Sequence, residues 1–226
     1  LLRVFFVAFA THDADWSPIV AVLAFITLIV GAVMAILQND VKRMLAFSSI
    51  SHAGFVLVAV QSASNKGTSA ALFYLFTYTF MVLGSFAIVG AMGADGEHPL
   101  DRYAGLGRSR PILAMAFTIL LFAQAGVPLT SGFVGKFQVI GAAVADRSYL
   151  LAAVAMLTAV IGAFMYLRIV MAMYVADREV EGPSPTLHWT VAIVLGAVTG
   201  FTILIGIVPQ FLIEFADDAV PVLIRG

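Results

Sequence analysis

The chain has 226 residues, 62% of them apolar and only 11% charged, against about 25% charged in soluble domains. With 12 Lys+Arg against 13 Asp+Glu the net charge is −1, which leaves no basic excess for nucleic-acid phosphates. A mean hydropathy of +1.03 and the absence of cysteine exclude a soluble enzyme, a disordered chain, disulfides and cysteine-ligated zinc or iron–sulfur clusters.

Residues 1–9 open on Leu1-Leu2-Arg3-Val4, without Met or a signal-peptide layout, and read as the last turns of a helix already under way. The chain is therefore expected to be the C-terminal part of a longer protein. Charges punctuate the remaining residues. Segments at about 16–39, 44–65, 67–94, 111–145, 148–176 and 186–213 each reach the roughly 20 residues a helix needs to cross hydrocarbon. They predict an all-α polytopic transmembrane bundle, one membrane domain over 1–226, with six full spans plus the end of a seventh. The runs are continuous rather than alternating, which excludes a β-barrel.

Alternate loops share a side. One side holds Lys42, Arg43, Arg102, Arg108, Arg110 and Arg178, whereas the other holds Lys66, Arg147 and Arg225. The positive-inside rule places the first set in the cytoplasm, matrix or stroma and the C-terminus outside.

The fourth segment, 111–145, is too long for one straight crossing. It contains Gln124-Ala125-Gly126-Val127-Pro128-Leu129-Thr130-Ser131-Gly132. Pro128 cannot donate a backbone hydrogen bond, and Gly126 and Gly132 loosen the same stretch. A discontinuous helix with its break near 125–132 is predicted. Such breaks persist at membrane depth only inside protein or beside a watery cavity.

Lys136 comes just after that break, ten residues before Asp146 and so roughly 15 Å from the outer boundary. An intramembrane amine is a functional candidate, able to exchange a proton reversibly. The plainer alternative is a snorkelling lysine or a helix lock. His52 lies nine residues after Arg43, and Ser48, Ser51 and His52 share one helix face at i, i+3, i+4 spacing. A histidine there relays protons, or else sits neutral and hydrogen-bonded between helices. Arg168, nine residues before Asp177, does not deprotonate usefully and reads as a structural counter-ion or electrostatic tuner. Tyr74, Thr77 and Tyr78 line a cavity or simply pack; Gln124 and Gln138 flank the break. His12, His98 and His188 fall near loops and are expected to be solvated or interfacial. No motif for a nucleotide, flavin, metal or haem is present.

Two stretches carry a resemblance. The run from Gln38-Asn39-Asp40-Val41-Lys42-Arg43 through Ser48-Ser49-Ile50-Ser51-His52-Ala53-Gly54-Phe55, and Ala125-Gly126-Val127-Pro128-Leu129-Thr130-Ser131-Gly132-Phe133-Val134-Gly135-Lys136-Phe137, resemble the antiporter-like membrane subunits of respiratory complex I. Tyr103-Ala104-Gly105-Leu106-Gly107-Arg108-Ser109-Arg110-Pro111, Tyr166-Leu167-Arg168 and lysine rather than glutamate at 136 point to its N-type branch. The resemblance implies a 14-helix subunit of which these spans are helices 9–14, with the break in helix 12. It also implies that Lys136 is the terminal lysine of an outward half-channel. The same resemblance implies K-type and M-type neighbours within a bilayer and proton transport driven by NADH:quinone electron transfer; the Ala/Val-rich composition points to a bacterial cell membrane rather than an organellar inner membrane. No cofactor is expected on this chain; NADH, FMN, iron–sulfur clusters and quinone would belong to other subunits. The family's earlier glutamate and lysines lie outside this sequence. Two rivals stand beside this reading: a subunit of a related cation/proton antiporter or membrane-bound hydrogenase, and a membrane anchor that transports nothing.

Overall fold

The computed structural model describes residues 2–93, 96–175 and 189–225. Arg178, His188 and the side chain of Arg225 lie outside the described residues. Two helical turns, Val4–Ala8 and Ala10–His12, lead into α1 (Asp13–Ile36), then α2 (Val41–Gln61) and α3 (Asn65–Ala91). A turn at Leu100–Tyr103 and the short α4 (Leu106–Ser109) precede α5 (Pro111–Ala125), α6 (Ser131–Ala145), α7 (Tyr149–Val175), α8 (Trp189–Ile207) and α9 (Gln210–Arg225). α1, α2, α3, α7 and α8 are long and apolar enough to cross a membrane, while α5 and α6 are shorter apolar helices. Placed end to end, α5 and α6 supply one further crossing, the broken one.

Local chemistry sets the ends. Asp40 caps α2, its carboxylate accepting from the Arg43 amide at 2.8 Å. Ser64 caps α3 in the same way through the Gly67 amide at 3.0 Å. Pro111 opens α5 at a position where a missing N–H costs nothing. After α8 the chain turns at Pro209, so residues 210–213 belong to α9 rather than to the last span. α9 buries Leu212, Ala216 and Val220, exposes Phe211, Phe215 and Val222, and is tied to α3 by Ser69, whose hydroxyl donates to Asp217.

α1 and α2 pack at close range. A Cβ at Gly31 would lie 2.4 Å from the Ser51 amide nitrogen, and one at Gly54 would lie 2.8 Å from Leu28 Cγ. With little drive from hydrophobic burial inside a bilayer, small residues let backbones approach for dispersion contact. The buried apolar residues form two large clusters. One gathers Trp16, Phe55, Val58, Val139 and Leu151 toward one end of the bundle. The other gathers Met44, Leu45, Ile88, Phe117 and Met173 at the opposite end of the bundle.

The loops before α2 and after α3 are stitched together at one end of the bundle. The Val41 amide donates to the His98 carbonyl at 2.8 Å, and the Leu100 amide to the Asn39 carbonyl at 2.9 Å. Asp40 also accepts from the His98 amide. Burial would raise the Asp40 carboxyl, but the Arg43 and His98 amides hold it below its ordinary range. His98 corrects the expectation of a solvated residue. It is 1% exposed, with its ring near the Tyr103 hydroxyl, because the loop folds over the α2 cap.

Candidate functional site

Between the two apolar clusters lies a polar layer built by α2, α3, α5, α6 and α7. The helix break organises it. Gly126 ends α5 in the left-handed conformation at φ +90°, its amide reaching back to the Phe122 and Ala123 carbonyls. Pro128 prevents the helix from resuming, and Leu129 also takes a positive φ, +68°. Thr130 donates to the Val127 carbonyl at 2.6 Å, and Ser131 opens α6. A Cβ at Gly132 would lie 1.8 Å from the Ala123 carbonyl oxygen, so α6 can meet the end of α5 only without a side chain there.

The last carbonyls of α5 have no partner within their own helix. Lys136 supplies one: its Nζ donates to the Gln124 carbonyl at 2.7 Å and to the Ala125 carbonyl at 2.9 Å. The negative end of a helix dipole favours a cation at that place. The Phe55 ring lies 5.1 Å away and adds a cation–π contact. Lys136 is 7% exposed, and among the described residues no carboxylate pairs with it. The arrangement therefore contains the helix lock as well as the intramembrane amine that the sequence suggested.

His52, 4% exposed, is held from both sides of its ring. Its Nδ1 is 2.7 Å from the Tyr74 hydroxyl and its Nε2 is 2.9 Å from the Tyr166 hydroxyl. Tyr78 stacks on the ring at 4.4 Å between centroids and donates to Ser49 at 2.8 Å. Tyr166 also hydrogen-bonds Ser48 and, at 3.4 Å, donates to the Gln124 side-chain oxygen. The Gln124 amide nitrogen donates to Ser85 at 2.7 Å. A cavity of about 10 Å³ lies between Lys136, His52, Ser51 and Tyr166, the size of about one water molecule. The structure thus brings Lys136 and His52 to one small polar space.

Arg168 stands elsewhere. It reaches the C-terminal end of α1, where Nη1 donates to the Ile36 carbonyl at 2.7 Å and Nη2 to Asn39 Oδ1 at 2.9 Å. It closes the α1 C-terminus with hydrogen bonds, and carbonyls rather than an acid receive its charge. Thr77 returns its hydroxyl to the Phe73 carbonyl at 2.9 Å and does not join the layer. Gln138 is half-buried outside the network. Sequence reasoning missed the contribution of Tyr166 to the site. Its polarity within an apolar span was the available signal.

Comparison with known proteins places the chain. Residues 1–162 match the family described as NADH:quinone oxidoreductase/Mrp antiporter, TM. The chain is 42% identical over 224 residues to NADH-quinone oxidoreductase subunit N of Rhodococcus opacus, covering 97% of this chain and 41% of that protein. In structure it is similar to a chain of the Mrp complex from Dietzia, with TM-score 0.87, 23% identity, and 99% of this chain and 50% of the other covered. A chain of Thermus thermophilus respiratory complex I matches at TM-score 0.78 and 27% identity, over 87% of this chain and 45% of that one. The chain spans about two fifths of the length of the curated relatives it matches. On the match over residues 1–162 and this relatedness, the chain belongs to the NADH:quinone oxidoreductase/Mrp antiporter membrane-subunit family.

Proposed function

We propose that this chain is the C-terminal part of an N-type antiporter-like subunit that moves protons across a bacterial cell membrane within an NADH:quinone oxidoreductase. Relatives named as subunit N support the assignment. Electron transfer, with its NADH, FMN, iron–sulfur clusters and quinone, takes place on other subunits, and K-type and M-type subunits flank this one. Lys136 is the outward proton carrier, and His52 passes protons to it.

One observation carries the mechanism. Lys136 places its ammonium on two carbonyls at a helix break, with no carboxylate partner among the described residues, beside a cavity shared with His52. A carboxylate partner would fix the charge and trap the proton. Carbonyl dipoles stabilise the ammonium while leaving the amine able to release its proton when a neighbouring charge moves. The lock and the carrier are then one device, since loss of the proton weakens the hold on the α5 terminus.

The test replaces Lys136 with Met in the full-length subunit, inside its assembled complex, in inverted membrane vesicles. Proton uptake coupled to NADH oxidation is expected to fall about tenfold or more. Normal pumping by an assembled Lys136→Met complex would overturn the reading and favour an anchor. A second reading, a cation/proton antiporter subunit, is supported by the family description, which includes Mrp antiporters. Co-purification with NADH-oxidising, flavin-containing subunits separates the two.

A further inference from the structure

We infer that Tyr166 is a proton-relay residue, its hydroxyl linking His52 Nε2 to the cavity that Lys136 faces. The inference rests on the reading of Lys136 as a proton carrier. Tyr166 is 1% exposed, and its hydroxyl meets His52 Nε2 at 2.9 Å, Ser48, and Gln124 Oε1 at 3.4 Å. A phenol has one proton to donate, and a neutral imidazole has one N–H and one bare nitrogen. His52 holds a phenol on each nitrogen, so Tyr74 and Tyr166 take opposite roles: one donates to the ring and the other accepts from it. When Nε2 carries the proton, Tyr166 accepts it and aims its own proton at Ser48 or Gln124. When Nε2 is bare, Tyr166 donates to it. The Tyr166 rotor is therefore tied to the tautomer of His52.

That coupling supplies a balanced step. Tyr74 gives its hydroxyl proton to Nδ1 and takes a replacement from a hydronium ion at its oxygen, and the N–H bond at Nε2 breaks. The Tyr166 oxygen takes that proton as its own O–H bond breaks. The released proton goes to Ser48 Oγ as the Ser48 O–H bond breaks, and that second proton crosses the cavity to the neutral amine of Lys136, which becomes ammonium. Imidazole and phenol end neutral, in the opposite tautomer and rotamer; the hydroxyls reset by rotation, and the imidazole resets by a ring flip about Cβ–Cγ that carries the Nδ1 proton across. The cavity, at about 10 Å³, has room for about one bridging water. Gln124 joins the two ends, its side-chain oxygen meeting Tyr166 and its carbonyl holding Lys136.

The experiment uses the full-length subunit in its complex, with Tyr166→Phe beside Lys136→Met. In assembled Tyr166→Phe, pumping is expected to fall about tenfold, and Ser48→Ala to fall less. Wild-type pumping in Tyr166→Phe alongside loss in Lys136→Met would overturn the relay and leave the carrier standing. Wild-type pumping in both would overturn the carrier reading itself. If Tyr166→Phe does not assemble, 3,5-difluorotyrosine at position 166 keeps shape and hydroxyl while making the phenol more acidic. A relay then shifts the pH profile of pumping, whereas an unshifted profile would overturn it.

Discussion

Among the described residues two histidines are buried, His98 and His52, and they differ in what surrounds them. His98 sits in the strap formed where the loop after α3 folds over the α2 cap, with Asp40, Lys42 and Arg102 acting on it and the Tyr103 hydroxyl at 3.3 Å. Burial, and after it the charge of Arg102, pulls its pKa below the usual histidine value. His52 sits in the polar layer, with neutral phenols on both nitrogens and a lysine across a cavity. His98 closes a loop whose backbone hydrogen bonds are already made. His52 joins a chain of groups, each able to give one proton and take another. Burial alone thus does not mark a proton site; the contrast lies in whether the neighbours fix the proton or can exchange it.

Paired substitutions probe that contrast most strongly. His52→Asn is expected to lower pumping about tenfold or more in an assembled complex. His98→Asn should keep pumping and instead lower thermal stability by about 1 kcal/mol. Equal pumping in the two variants would erase the distinction. A smaller effect tests the break that separates the regions. Gly132→Ala drives a methyl group into the Ala123 carbonyl and should cost about 1–3 kcal/mol, read as a lowered melting temperature of the purified complex. Smaller again, Arg168→Leu removes the hydrogen bonds that close α1 and should cost about 1–2 kcal/mol at this partly exposed site while leaving pumping intact.

The least effect concerns pH. Because the folded His98 pKa is depressed, the unfolded strap binds the proton more readily, and strap stability falls as pH drops below about 6.5. Above that value the contribution is fully present. Hydrogen exchange at the Val41 and Leu100 amides should therefore quicken between neutral and mildly acidic pH, and a flat rate, after correction for intrinsic exchange, would contradict it.

Much of the fold was legible in the chain itself. Charge punctuation and the length of apolar runs determine the spans, because a polar backbone in hydrocarbon must close its hydrogen bonds within a helix. Gly126, Pro128 and Gly132 determine the break, since their backbone limits are local. Those same features put Lys136 within two turns of the break, and helical spacing puts His52 on the face of Ser48 and Ser51. What the tertiary structure alone decided is which groups meet. Tyr166 finds His52 across α7 and α2, Arg168 finds the end of α1, and His98 folds beneath a cap formed by Asp40. Periodicity fixes the face a residue occupies but not the depth and rotation at which two helices dock. Those depend on dispersion packing at positions such as Gly31 and Gly54, which sums over the whole interface.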